Sequence, residues 1–340
     1  TAGLPQIHTK SKKMKAFSFT GYRTFQKCQW QWFFTAKAKS GNIKHDQQRR
    51  EITMLSHLRT LAAWRSQLVD DVLSTEMVAA FNQKQPFSLD DALELALRLF
   101  EKRLRFSQNH EYRDVGNKKS HLPEEFSPLL EHEYNIPISD EQLEAAWLDI
   151  EIALTNFFQN EPFVELLRSA EHLDSQRTLH FQLEGFSVTG TPDLIVYTNG
   201  QAPLIVDWKV HTEPVKRYNQ QLLVYALGLH LTLSQNRQRT NWKKFPLTDY
   251  RLVEYQLLKN ELRDYPVTED YLDQTREFII EGAYRLQLAG AGDSYNYDDL
   301  QDLEQTDDPE NCLTCSFRKI CNHEPKPTEH QPDLFDWEHR

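Results

Sequence analysis

The stretch GTPDLIVYTNGQAPLIVDWK, residues 190–209, decides the fold of this chain. Its two apolar runs, LIVY and LIVDWKV, predict strands, and the letters TNG between them predict a turn. The resulting hairpin places Asp193, which lies just before the first strand, alongside Asp207 and Lys209 on the second. Because residues two positions apart on a strand face the same side, we expect all three side chains to converge on one site.

Two carboxylates and a lysine at one end of a hairpin suit a Mg²⁺ site. Mg²⁺ is held by a few carboxylates while water and phosphate oxygens complete its shell. Such a metal lowers the pKa of its bound water and stabilises the charged transition state, and Lys209 can orient that water or neutralise the phosphate. The alternative is structural, since an Asp before a strand and a Lys on one are common. Apolar neighbours favour a functional role for Asp207, because a buried charge without a partner is costly.

Further elements are predicted on both sides of the hairpin. Alternating apolar residues from Leu179 to Leu183 predict a strand, another begins at 186–188, and Val253, Tyr255 and Leu257 mark one more. Helical spacing predicts helices over 16–35, which includes Cys28, and over 51–75, 140–158 and 215–232, the third with a Ser139/Gln142 capping box, whereas 105–137 looks irregular.

Strands and helices in this order predict an α/β fold class, with a mixed sheet core and a mostly helical region before it. We expect five regions along the chain. They are an N-terminal segment with the first cysteine (1–40), a helical region (41–177), a core that contains the hairpin (178–265), a C-terminal helix with a cysteine cluster (266–325), and a polar, disordered tail (326–340).

The composition bounds the possible functions. The chain has 340 residues, a formal net charge of −11, 39% hydrophobic residues and 26% charged residues, which is typical of a soluble globular protein. No apolar run is long enough for a membrane span. Residues 1–15 lack the apolar core of a secretory signal, so we predict a cytoplasmic, reducing location.

The negative net charge argues against a protein that coats DNA nonspecifically. It is compatible with local DNA contacts made by clusters of basic residues. Two aromatic residues that could stack on bases are interleaved with one basic cluster. A solvated loop is the alternative interpretation. The basic clusters and their aromatic neighbours are Lys10, Lys12, Lys13 and Lys15; Arg49 and Arg50; and Arg237, Arg239, Lys243 and Lys244 with Trp242 and Phe245.

With these motifs in this order, the sequence resembles the PD-(D/E)xK nuclease superfamily, specifically its RecB-like branch. Asp193 matches the first metal aspartate, and Asp207-Trp208-Lys209 matches the D-x-K motif. Gln221 and Tyr225 match the Q-x-x-x-Y motif of that branch and lie on one face of a helix, which in the family is beside the active site. The resemblance implies a Mg²⁺- or Mn²⁺-dependent deoxyribonuclease with Asp193 and Asp207 as metal ligands.

A fourth position departs from the family pattern. The family usually supplies a histidine from an upstream helix, in a G-x-x-V-H pattern, and here the aligned residues are SQLVD, which end at Asp70. The resemblance therefore implies that Asp70 takes the place of the histidine as a metal ligand. Asp71 and His57 are alternative candidates, and a solvated helix charge is the structural alternative.

The chain contains four cysteines, Cys28, Cys312, Cys315 and Cys321. The last three form a C-x₂-C-x₅-C pattern, and all four together have the composition of a four-ligand metal site. Both zinc and a [4Fe–4S] cluster accept four thiolates, so the spacing leaves the two open.

One early cysteine and three late ones around a RecB-like core resemble the iron–sulfur nucleases, including AddB-type subunits and the CRISPR-adaptation nucleases. This resemblance implies a [4Fe–4S] cluster that joins the two ends of the chain. Such a cross-link closes a very long loop, which in theory restricts the unfolded chain strongly.

DNA is the partner expected from the sequence. Because no G-x-x-x-x-G-K-[ST] motif is present, we expect either a stand-alone nuclease or the nuclease partner of a separate helicase or motor. In the tail, Gln331, Asp333, Leu334 and Phe335 resemble the peptide by which bacterial proteins bind the sliding clamp, with Pro332 in place of the usual leucine. The alternative to a nuclease is a noncatalytic DNA-binding or scaffold subunit that keeps the fold.

Overall fold

The computed structural model describes residues 16–38, 46–114, 124–211, 218–235, 245–290 and 297–321. Its strands are β1 (Phe17–Ser18), β2 (His172–Ser175), β3 (Leu179–Leu183), β4 (Phe186–Gly190), β5 (Leu194–Tyr197), β6 (Leu204–Lys209), β7 (Arg251–Gln256) and β8 (Glu261–Tyr265). Its helices are α1 (Phe19–Lys27), α2 (Gln29–Ala38), α3 (Gln47–Leu55), α4 (Leu61–Asp71), α5 (Val78–Asn82), α6 (Leu89–Gln108), α7 (Leu130–Glu133), α8 (Asp140–Gln159), α9 (Glu161–Ser169), α10 (Tyr218–Gln235), α11 (Glu269–Leu288), α12 (Pro309–Leu313) and α13 (Arg318–Cys321).

A five-stranded mixed sheet forms the centre, in the order β2-β5-β6-β7-β8. The strands β6 and β7 are parallel and the other pairs are antiparallel. A parallel pair needs a crossover connection, and α10 lies in the connection between these two strands. A smaller sheet, in the order β1-β4-β3, packs against α10 through β3 and β4. The predicted α/β fold class with a mixed sheet is confirmed.

Both faces of the central hairpin are covered, which explains why its strands are apolar runs rather than alternating ones. On one face, Val196 and Val206 pack into a core with α4, α5, α6, α8 and α9. On the other face, Ile195 and Ile205 pack into a second core that includes α10. The helical region therefore shares its hydrophobic core with the sheet.

Several helix predictions need correction. The helix predicted over 51–75 is interrupted at 56–60, because Thr60 caps a new helix by accepting a hydrogen bond from the Ala63 backbone. From α4 the chain continues through a π-helical segment, Val72–Met77, into α5. The helix predicted over 16–35 is broken at Cys28, and the part predicted as irregular, 105–137, includes the end of α6 and the short α7. The capping box of α8, with Ser139 and Gln142, is present as predicted.

The N-terminal segment packs against the C-terminal part of the chain. Phe17 and Tyr22 contact Phe278 of α11 at ring-centroid distances of 6.0 and 5.3 Å. The Trp30 indole donates a 2.9 Å hydrogen bond to the backbone oxygen of Leu303. Among the described residues, no helix is both long enough and apolar enough to cross a membrane.

Candidate metal centre

The centre lies where the β5–β6 hairpin opens. Asp193 precedes β5, and its Oδ2 accepts a 3.0 Å hydrogen bond from the backbone nitrogen of Trp208 on β6. The antiparallel register, in which Leu194 pairs with Val206, produces this contact. The sequence-predicted hairpin thus brings Asp193 beside the D-x-K segment.

Asp207 is almost completely buried, with 2% of its surface exposed. The Lys209 ammonium forms an ion pair with its Oδ2. That oxygen accepts no hydrogen bond within the described part of the chain. A buried carboxylate oxygen with spare coordination capacity is suited to an additional cationic partner.

Asp70 is contributed by α4, near the C-terminal end of that helix. Its Oδ1 accepts hydrogen bonds from the Trp208 indole nitrogen at 2.8 Å and from the Ser74 hydroxyl at 2.7 Å. Ser74 lies in the π-helical segment, and such segments are frequent at functional sites. The structure thus places Asp70, rather than Asp71 or His57, in contact with the D-x-K segment, because Asp71 pairs with Arg103 and the His57 ring packs on Phe126.

Sequence analysis did not single out Gln176, which joins two of the carboxylates. Its Nε2 lies 3.0 and 2.9 Å from the two carboxylate oxygens of Asp70 and 3.4 Å from Oδ1 of Asp193. Trp208, noted only as the middle residue of D-x-K, also contacts both aspartates. No motif marks either role, because each depends on elements that are distant in sequence.

The Q-x-x-x-Y residues lie on the α10 side of the site. The Gln221 amide donates a 2.6 Å hydrogen bond to the Tyr225 hydroxyl, as expected for positions i and i+4 of a helix. The Tyr225 ring packs on Gly190, where an added Cβ would lie 2.8 Å from ring atom Cδ1. Glycine at the end of β4 therefore allows the tyrosine to approach the site.

Burial raises the pKa of Asp193 well above its usual range, and the nearby carboxylates of Asp207 and Asp70 raise it further. The positive charge of Lys209 acts in the opposite direction. Burial also raises the pKa of Asp70, although the Trp208, Ser74 and Gln176 hydrogen bonds partly offset the effect. Without a bound cation, the neighbouring carboxylates therefore oppose ionisation of Asp193.

The raised pKa of Asp193 predicts how metal-free stability depends on pH. A carboxyl whose pKa is higher in the folded state stabilises the fold below its unfolded pKa, and this contribution is lost as the pH rises through the folded pKa. We expect Asp193→Asn to raise the metal-free melting temperature at pH 7–8 by a few degrees and to flatten its decline with pH. Thermal unfolding in a chelator measures this, with exposed Asp264→Asn as the control; a melting temperature equal to or below that of the wild type would contradict it.

The donor set fits a hard divalent cation, which prefers carboxylate oxygens, and the buried Oδ2 of Asp207, which has the Lys209 ammonium beside it but accepts no hydrogen bond within the described residues, supports the fit. As they stand, however, no three His, Cys, Asp or Glu side chains in the described ranges form a group arranged for a metal ion. We therefore treat Asp70, Asp193 and Asp207 as a candidate set. The two basic clusters at residues 10–15 and 237–244 lie outside the described residues.

The four cysteines are distant in sequence from the three carboxylates, and within the described ranges they too are not arranged as a metal-binding group. All of them line one cavity, together with side chains from α2 and the C-terminal segment. The pKa of Cys315 is raised to about 12, mainly by burial and in smaller part by the other three thiols. Three sulfur atoms also receive hydrogen-bond donors, namely Cys28 from the Gln31 backbone at 3.5 Å, Cys315 from the Phe317 backbone at 3.4 Å and Cys321 from the Gln305 amide at 3.7 Å.

A family model described as the PD-(D/E)XK nuclease superfamily matches residues 16–322. The chain belongs to this superfamily. The predicted family is thereby confirmed at the level of the superfamily, whose members are generally metal-dependent nucleases. No curated protein matches the chain in sequence.

Two solved structures illustrate how distant the structural relatives are. A protein named SSO0001 is 12% identical, with a TM-score of 0.28, and the match covers 67% of this chain and 96% of that one. A protein from Eubacterium rectale, provisionally described as an exonuclease, is 13% identical, with a TM-score of 0.34 and coverage of 85% and 97%.

Proposed function

We propose that this protein is a Mg²⁺- or Mn²⁺-dependent deoxyribonuclease of the RecB-like branch, acting in DNA repair, recombination or defence. The observation that carries the proposal is the meeting of Asp193, Asp207 and Lys209 at the open end of the β5–β6 hairpin, with Asp70 in contact through Trp208. Membership of the nuclease superfamily supports the same conclusion.

In this proposal, Asp193 and Asp207 hold the cation, and Asp70 adds a third carboxylate. A bound divalent ion supplies an acidified water and neutralises charge on the phosphate. Lys209, already paired with Asp207, is placed to orient the attacking water or to contact the phosphate. Gln221 and Tyr225 support this face of the site.

A direct assay tests the activity. Pure protein is incubated with end-labelled single- and double-stranded DNA, with Mg²⁺, with Mn²⁺, and with EDTA. Cleavage that requires the metal supports the proposal, and the product ends distinguish exonuclease from endonuclease action. DNA binding without cleavage under every metal condition would favour the alternative of a noncatalytic DNA-binding or scaffold subunit.

Asp70 is the member of the proposed site that departs from the family pattern, which usually has a histidine at this position. We expect Asp70→Ala to reduce cleavage by about 10–100-fold, which is the typical effect of losing a group that holds or orients a metal ligand. Asp70→Asn keeps the size of the side chain and separates the loss of charge from the loss of packing. Initial rates at saturating Mg²⁺ measure the effect, and a wild-type rate for both variants would remove Asp70 from the site.

We further propose that Cys28, Cys312, Cys315 and Cys321 bind a [4Fe–4S] cluster with a structural role. Their common cavity and the N–H groups directed at three sulfurs support a thiolate-bound centre, since such hydrogen bonds are typical of iron–sulfur sites. Zinc bound by the same four thiolates is the alternative. Metal analysis of anaerobically purified protein distinguishes the two.

The remaining proposals concern partners and chain organisation. A separate helicase or motor is a proposed partner, and the five sequence regions remain the proposed organisation. The tail motif at 331–335 lies outside the described residues. We propose that this motif binds a bacterial sliding clamp. Leu334 and Phe335 would enter an apolar pocket of the clamp, and Pro332 would limit the conformational entropy that the tail loses on ordering.

For the tail, we expect a peptide of residues 326–340 to bind a bacterial clamp with micromolar affinity, because few side chains are buried. Fluorescence anisotropy of the labelled peptide measures the binding. The double variant Leu334→Ala, Phe335→Ala should abolish it, whereas Thr328→Ala in the same peptide should not. Absence of binding at high micromolar clamp concentration would make the motif a coincidence.

A further inference from the structure

Gln176 lies between β2 and β3, and its side-chain amide reaches two carboxylates from different parts of the fold. Nε2 lies 3.0 and 2.9 Å from the oxygens of Asp70 and 3.4 Å from Oδ1 of Asp193. An amide nitrogen carries two hydrogens. One hydrogen can be donated to Asp70 and the other to Asp193, so the single side chain of Gln176 bridges both acids.

The orientation of the amide follows from charge. Ionised carboxylates only accept hydrogen bonds, so the NH₂ group faces them, because the carbonyl oxygen in its place would meet other acceptors. The partially positive end of the amide thus lies between the oxygens of two carboxyl groups. This is the electrostatic role that a bound cation would have at the same place.

The backbone holds Gln176 at this position. Its φ of +50° is in the left-handed region, which is costly for a residue with a Cβ. Its backbone nitrogen donates a 3.2 Å hydrogen bond to the backbone oxygen of Asp193. Costly backbone conformations persist where the surrounding structure imposes them, and they cluster at ligand-binding sites.

We propose that Gln176 is an exchangeable ligand of the metal centre: its NH₂ group bridges Asp70 and Asp193 when no cation is bound, and its carbonyl oxygen turns toward the cation when one binds. This inference rests on the proposed divalent-metal site. Carbonyl oxygens are suitable ligands for Mg²⁺ and Mn²⁺. The terminal torsion of a glutamine side chain is broad, so a rotation of the amide exchanges donor for acceptor while the backbone remains in place.

Two substitutions separate the two roles. Gln176→Ala removes both the bridge and the ligand, without changing the backbone demand, because alanine also carries a Cβ. Gln176→Glu keeps the size but adds a negative charge beside Asp70 and Asp193, and an ionised carboxylate cannot donate a hydrogen bond. The glutamate is therefore expected to destabilise the metal-free protein and to strengthen binding of the cation.

The test measures Mn²⁺ binding to the whole protein without DNA, by electron paramagnetic resonance of unbound Mn²⁺, together with melting temperatures in EDTA. We expect Gln176→Ala to weaken Mn²⁺ affinity by about 10-fold, as is typical for groups that support a metal site. We expect Gln176→Glu to lower the metal-free melting temperature and to tighten Mn²⁺ binding by about 10-fold. The exposed Gln201→Ala should match the wild type in both measurements.

The possible failures are distinguishable. Wild-type protein that binds no Mn²⁺ would remove the metal site itself, and the proposed function with it. Wild-type protein that binds Mn²⁺ while Gln176→Ala retains its affinity within about twofold would overturn only the role of Gln176. Mn²⁺ binding that is not tightened in Gln176→Glu would do the same, because a side-chain oxygen that reaches the cation must bind it more tightly once it belongs to a carboxylate.

Discussion

Asp207→Ala is expected to reduce metal-dependent DNA cleavage by at least about 10³-fold, in line with the loss of a major electrostatic contribution at an active site. Asp207 is buried, and one of its oxygens is without a hydrogen bond in the described residues. Its loss removes a carboxylate from the candidate cation site and also leaves Lys209 without its ion-pair partner. Asp193→Ala and Lys209→Ala are expected to have effects of similar size.

Initial cleavage rates over a range of Mg²⁺ and Mn²⁺ concentrations measure this result. Asp207→Asn provides an isosteric variant in case the alanine affects folding, and circular dichroism checks that each variant is folded. The matched control is Asp264→Ala, an exposed aspartate on β8 whose ion pair with Arg251 lies at the surface. A folded Asp207 or Lys209 variant that cuts at the wild-type rate would show that the site is assigned wrongly.

Cys28→Ser is expected to abolish the brown colour and the broad absorption near about 400 nm that we predict for anaerobically purified protein. It should also destabilise the fold. Cys28 precedes its proposed partners by most of the chain length, and a cross-link closing a loop of about 100 residues contributes roughly 5 kcal/mol in the chain-entropy model. Removal of any of the other three cysteines should act in the same way.

Iron and sulfide analysis and urea unfolding under anaerobic conditions measure both effects. Ser316→Ala is a matched control, since this residue is adjacent to Cys315 and supplies its backbone oxygen, rather than its side chain, to the Tyr134 hydroxyl. Stoichiometric zinc without iron in the wild-type protein would refute the cluster. Unchanged stability in a cluster-free Cys28 variant would refute its structural role.

The sequence predicts the hairpin well because the information is local. A turn, two apolar runs and a charged pair at i and i+2 lie within one short stretch, and β5 and β6 appear where expected. The break at 56–60 is missed because the apolar spacing continues across it without a Gly or Pro. The N-cap side chain of Thr60 is the available signal for the break.

The contacts around Asp70 could not be predicted from the sequence. Gln176 follows Asp70 by 106 positions and Trp208 follows it by 138, and neither belongs to a periodic pattern that marks its partner. Their roles depend on how α4 approaches the end of the sheet. Local patterns predict elements, whereas such long-range side-chain contacts follow only from the packing of those elements.

The contact between the two ends of the chain also sets an order for biosynthesis. Cys28 leaves the ribosome long before Cys321, and at about 5–20 residues per second the delay is roughly 15–60 s. For most of that interval, the aromatic side chains that later contact α11 have no partner from the C-terminal segment, because α11 has not yet been translated. Assembly of the four-thiol cavity must therefore follow translation of the whole nuclease core, so a nascent chain cannot be stabilised by the cavity before the core is complete.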